Sequence, residues 1–287
     1  MPKLNAHDLI DGNLKLPSLP DIYFQVSRMI NDPRFSLEDV SQVILKDPAL
    51  SARLLKLVNS SFYGFQSRID TISRAIVVIG IDELKNLILV TSVIDSFQNI
   101  PTDLVNMTDF WMRSIRCALL ARCLAKKSFF LHSERLFVAG LLHDIGSLVL
   151  YLKFPQQSAL VLKQAANERQ ILPSLQQDII GVDYTQTGSA LIQSWQLPES
   201  LVTAVACQLQ PERALAHNLE ATLLAVTVSL INGLEQGRPI TKLVNSLMIN
   251  WLIQLKISPE DIINASEQAD SEFEQIFELV ASHKKIY

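Results

Sequence analysis

The chain has 287 residues, with 25 Lys and Arg against 29 Asp and Glu, so its formal net charge is −4. That mild acidity argues against a broad nucleic-acid surface, which needs clustered positive charge. Charged residues make up only 19% and hydrophobic ones 48%, which excludes a disordered chain and allows a sizeable core in one large domain or two modest ones.

The first residues, Met1 to Asp8, contain no apolar run of the kind a signal peptide carries. The longest apolar stretches, such as Ala75 to Ile79, fall far below the roughly 20 residues that a spanning helix needs. A soluble, cytoplasmic protein without membrane insertion is expected. Helical periodicity then dominates, and strand alternation is almost absent. Ser36 with Asp39 forms a capping box ahead of Val40, Val43 and Ile44. Asp47-Pro48 places an N-cap before a proline at the first helical position, and Leu50, Leu54 and Val58 follow on one face.

Ala75 to Leu84 reads as an apolar helix end, a turn at Gly80 and a second helix. A helix-turn-helix has that outline, but Asp82 and Glu83 stand where a phosphate would approach, so a structural corner is expected and no nucleic acid. Asn99 to Asp103, around Pro101, interrupts the pattern. Arg113, Arg116, Arg122, Lys126 and Lys127 make one basic helix, read as a solvated face with Arg113 turned inward. A cyclic-dinucleotide phosphate could use such arginines. Asp183 and Gln186 open a helix running to Trp195, a second break spans Glu235 to Pro239, and Ser258 to Asp261 opens another helix. The last helix sets Phe273, Ile276, Phe277 and Val280 on one face, with Glu272 and Glu274 near its start and Lys284 and Lys285 at its end. Trp111, Trp195 and Trp251 suit a helical core. The fold class is all-α.

Cys117, Cys123 and Cys207 are widely spaced and form no C-x-x-C pair, so neither a disulfide framework nor a thiolate zinc site is expected. They read as buried free thiols. One short motif carries chemistry: Leu141-Leu142-His143-Asp144-Ile145-Gly146. His143 and Asp144 could offer an imidazole and a carboxylate to one metal ion. The plain alternative is a helix-end histidine and a capping aspartate. Two ligands fall short of the three that even open catalytic metal sites usually keep. The histidines are His7, His132, His143, His217 and His283, with none from residue 8 to 131, and no aspartate lies between Asp183 and Asp261.

The chain resembles the HDOD family, regulatory relatives of the HD metal-dependent phosphohydrolases. The resemblance is carried by Leu16-Pro17-Ser18-Leu19-Pro20, by Asp47 to Leu55, by Val58-Asn59-Ser60-Ser61-Phe62-Tyr63-Gly64 and by Ile72 to Gly80. It continues through Phe110-Trp111, Ala139 to Gly146, Gly188 and Trp195 to Pro198, covering roughly residues 14 to 211 in unbroken order. It implies an HD-domain-like multi-helical fold with an N-terminal helical lobe. It also implies a bacterial signalling scaffold rather than a hydrolase. HD enzymes add a histidine from an earlier helix and an aspartate from a later one. The resemblance places Arg113 at the first of these positions and Leu230 at the second. Many members carry further histidines where this chain has Tyr184 and, ahead of Pro211, Gln208-Leu209.

The expected organisation is an N-terminal segment (1–13), an HDOD domain (14–235, with lobes 14–100 and 101–235) and a C-terminal helical extension (236–287). The expected function is a non-catalytic regulatory scaffold, with no cofactor or metal, that binds other signalling proteins. Its alternative is a divergent phosphohydrolase acting on nucleotides or cyclic dinucleotides. His143 and Asp144 are then a vestigial motif, and Arg113 is expected to contact Asp144, at about 2.7–2.9 Å if directly hydrogen-bonded.

Overall fold

A computed structural model describes residues 4–11, 19–60, 63–97, 103–165, 171–247 and 249–281. Leu16 to Ser18, the Pro101 break, Lys284, Lys285 and the Val280 side chain lie outside the described residues. Among the described residues there is no strand, and the protein is all-α.

The helices group into two units. The first comprises residues 1–16 and 99–270, the second residues 17–98 and 271–287. The expected N-terminal segment therefore belongs to the first unit: Ala6 and Leu9 of α1 (Ala6–Asp11) lie in one core cluster with Val161, Leu172, Val182, Tyr184 and Ala190. Most of the expected C-terminal extension joins the same unit, and only its last part joins the second.

The second unit holds α2 (Asp21–Ile30), α3 (Leu37–Leu45), α4 (Pro48–Val58), α5 (Ile72–Ile79) and α6 (Ile81–Ser96). The predicted caps form. Ser36 Oγ accepts from the Asp39 amide while Asp39 Oδ2 accepts from the Ser36 amide, and Asp47 Oδ1 accepts from the Leu50 amide. Each satisfies backbone donors that the helix itself leaves unpaired. Val26, Ile44, Leu54, Val58, Ala75, Leu84, Ile88 and Val93 supply the buried core. Gly80, at φ +87°, makes the corner between α5 and α6, a conformation that costs glycine little. Glu83 turns inward and accepts from the Tyr63 hydroxyl, while Asp82 stays exposed.

In the first unit the long α7 (Met107–Lys127) packs against α8 (Ser133–Leu142), which turns at His143-Asp144 into α9 (Ile145–Lys153). α10 (Pro155–Ala165), α11 (Leu172–Ile179), α12 (Tyr184–Ser194), α13 (Glu199–Cys207), a 3-10 turn (Pro211–Arg213), α14 (Asn218–Glu235), α15 (Ile240–Ser246) and α16 (Ile249–Leu255) follow. The last helix is one element, α17 (Pro259–Ala281): no breaker lies between the Ser258–Asp261 capping box and the Phe273 face, so the two predicted segments fuse. Trp111 and Trp195 are buried as expected, whereas Trp251 is only half-buried.

Ser133 to Lys153 is long and apolar enough by composition to cross a bilayer, but 89% of its apolar window is buried inside the protein. His143 and Asp144 interrupt its apolar run, which is why no single stretch of apolar residues marks it in the sequence. Its burial is that of two successive core helices, α8 packed on α7 and α9 packed on α12. The close approach of α9 to α12 depends on Gly146: a Cβ there would lie 2.0 Å from the Tyr184 carbonyl oxygen and 2.5 Å from the Gly188 nitrogen.

Candidate functional site: a guanidinium beside the His-Asp turn

The site is built where α8 gives way to α9. His143 and Asp144 occupy this turn, and both are buried. His143 Nδ1 lies 2.7 Å from the Gly140 carbonyl oxygen. A carbonyl can only accept, so Nδ1 carries the proton in this bond. Asp144 Oδ1 accepts from the Ser147 hydroxyl at 2.5 Å. The Gln208 amide group donates to the His143 carbonyl at 2.8 Å and to the Val205 carbonyl at 2.9 Å, tying the end of α13 to the motif. Tyr184 opens α12, its backbone amide donating to Gln176 Oε1 at 2.9 Å.

Arg113 sits one helix away on α7, whose start is capped by Asn106. Its side chain is only 5% exposed. The guanidinium donates through Nη2 to Asn232 Oδ1 at 2.7 Å and through Nη1 to Glu235 Oε2, both on the last turn of α14. Its Nε lies 4.0 Å from Asp144 Oδ2. That separation is longer than the 2.7–2.9 Å of a direct charge-assisted hydrogen bond, and the fork engages α14 instead. The pairing of Arg113 with Asp144 is thus an ion contact across 4.0 Å, joined to a shorter polar link between α7 and α14.

The resemblance points to Leu230 on α14. Leu230 is fully buried and apolar, and the residues that meet Arg113 are Asn232 and Glu235. They stand at i and i+3 just before the Glu235–Pro239 break, so a helix end carrying an amide and a carboxylate on one face was the available signal. The basic helix also departs from its expected solvated face: Arg122 is buried with Arg113, while Arg116 and Lys126 are exposed. A cavity of about 340 Å³ opens nearby, lined among others by Tyr184, Gln208, Leu230 and Asn232.

Among the described residues no three His, Cys, Asp or Glu side chains come together to hold a metal ion. A permanently charged guanidinium 4.0 Å from Asp144 also repels a divalent cation there. The residues present do not fit a divalent metal.

Cys117, one turn along α7 from Arg113, is fully buried, and burial pushes its thiol up to about 12. Cys123 is also buried, and Cys207 is half-buried with its thiol raised by burial. Because the thiolate is the reactive form, a thiol reagent applied to the native chain at about pH 8 is expected to label Cys207 alone, and slowly. Mass spectrometry of the labelled peptides checks this. Modification of Cys117 without denaturant would contradict the packing of α7.

An all-helical chain with a His-Asp turn between two core helices defines an HD-like domain, and this chain belongs to the HDOD family, whose domain model matches residues 16–211. An uncharacterised protein of Treponema pallidum (strain Nichols) is 28% identical over 283 residues, which is 94% of this chain and 52% of that protein. The chain thus spans about half the length of that relative. Crystal structures with the same fold include a candidate phosphohydrolase from Shewanella amazonensis SB2B (24% identity, covering 96% of this chain and 98% of that one, TM-score 0.74). An HDOD domain protein of unknown function from Geobacter sulfurreducens is also similar (22%, 98% and 97%, 0.68). So is a candidate signal transduction protein from Marinobacter aquaeolei VT8 (22%, 98% and 62%, 0.71).

Proposed function

We propose that this chain is a non-catalytic regulatory module that works by binding other signalling proteins through its helical surfaces. The observation that supports the reading is the Arg113 guanidinium, held by Asn232 and Glu235 beside Asp144, where the family resemblance puts the first metal-binding histidine. A hydrolase of this class needs a divalent ion to activate water and to stabilise charge on phosphorus. A fixed side-chain cation neutralises Asp144 but cannot bind or activate water as a metal does. Membership of the HDOD family, and the likeness to a candidate signal transduction protein, are consistent with a regulatory role.

The test is metal analysis of the purified chain after dialysis against Mn, Fe, Ni and Zn, together with turnover assays on phosphodiesters and cyclic dinucleotides. No stoichiometric metal and no turnover are expected. An equimolar metal lost on His143→Ala, or turnover lost on Asp144→Ala, would establish the divergent phosphohydrolase instead.

A further inference from the structure

The turn between α7 and α8 presents its apolar side chains to solvent. Phe129 is 87% exposed and Leu131 90% exposed, only two residues apart. Both line a cavity of about 400 Å³ with Leu219, Leu223, Arg135 and Lys256. Phe129 is also held in the left-handed region, at φ 56°. It ends α7 in a Schellman arrangement, with the Phe130 amide donating to the Ala125 carbonyl at 2.9 Å and the Phe129 amide to the Lys126 carbonyl at 3.2 Å. Glycine fills that position without strain, whereas a bulky residue there is an outlier. The backbone thus holds an aromatic ring away from the core.

The rim of the cavity is basic. Arg135 is exposed, and neither it nor Lys256 has an ion-pair partner among the described residues. Among the described residues the cavity's lining holds one carboxylate, Glu220, which lies 3.3 Å from His217 Nδ1. Exposed aromatic and aliphatic groups around a pocket, ringed by cations, mark an interaction surface rather than a ligand-free face. A second copy of the chain fits poorly: a two-fold contact sets the same patch against itself, opposing Arg135 and Lys256 to their own kind.

We propose that this cavity is a docking site for a partner protein and receives a large apolar side chain flanked by carboxylates. The proposal deepens the scaffold reading by giving it a surface. The two fail separately, since a partner that still binds after this surface is altered would retain the scaffold and remove the site.

Phage-displayed peptides selected on the full chain are expected to be enriched in Leu, Phe or Trp next to Asp or Glu. Synthetic peptides from that selection should lose about tenfold or more in affinity on Phe129→Gly, and also on Arg135→Glu. Phe129→Gly is informative because glycine is the preferred residue at this cap: the thermal midpoint should stay level or rise while binding falls. Peptides with no such enrichment, or whose binding ignores both substitutions, would overturn the proposal. Concentration-dependent self-association abolished by Phe129→Gly would assign the patch to a second copy. Flotation with phosphatidylserine vesicles lost in the same variant would assign it to a membrane.

Discussion

Gly146→Ala is expected to lower stability by at least about 3 kcal/mol, enough to leave much of a marginally stable chain unfolded. The added methyl would stand 2.0 Å from the Tyr184 carbonyl oxygen and 2.5 Å from the Gly188 nitrogen. These are backbone atoms four residues apart on α12, the acceptor and donor of its first internal hydrogen bond. No rotamer change can move them. Either α12 shifts away from α9, taking Tyr184 and the core around Ala190 with it, or that bond breaks. Gly188→Ala is the control. Its Cβ would meet Gly146 N at 3.2 Å and a Val205 methyl at 3.4 Å, contacts relieved by small shifts and partly offset by the helix preference of alanine. Urea melts followed by circular dichroism should therefore separate the two variants widely. A Gly146→Ala chain as stable as Gly188→Ala would contradict the α9–α12 packing.

Arg113→Leu should cost about 3 kcal/mol, the lower end for removing one member of a buried charged set. Glu235, with its side chain 37% exposed, can be rehydrated when the guanidinium goes. Asp144, at 4%, cannot, and would lose the cation nitrogen 4.0 Å away. A double-mutant cycle with Asp144→Asn separates the two effects. If the Arg113–Asp144 contact matters, Arg113→Leu should be milder in the Asp144→Asn background, with a coupling of about 1–2 kcal/mol. Equal losses in both backgrounds would assign the whole role of Arg113 to its link with α14.

Much of the fold was legible because its signals are local. The Ser36–Asp39 and Ser258–Asp261 boxes, the Asp47 and Asp183 caps and the Gly80 corner each act within a few residues, and all form. At the site, the inward turn of Arg113 followed from the resemblance, which sets it at the position of a metal-binding histidine, and its side chain is buried. Its partners could not: Asn232 and Glu235 lie 119 and 122 residues away, and only helix packing selects which rung of α14 faces α7. The same limit explains Arg122, whose charge suggested solvent but whose position on α7 is buried. It also explains α1, whose short apolar stripe carries no local sign of the core that it joins.

That placement of α1 bears on how the chain is made. The first unit draws on residues 1–16 and then on 99–270, and the second on 17–98 and then on 271–287. Neither is a continuous stretch. As the chain emerges during synthesis, Ala6 and Leu9 must wait for Val161, Tyr184 and Ala190 before their apolar faces are covered. The second unit receives its last contributors only after residues 99–270 have been made. Interleaving of this kind raises the sequence separation of native contacts, which slows folding and prolongs the exposure of sticky surface. Removing either end of the chain would then deprive a unit whose remaining residues lie far away in the sequence.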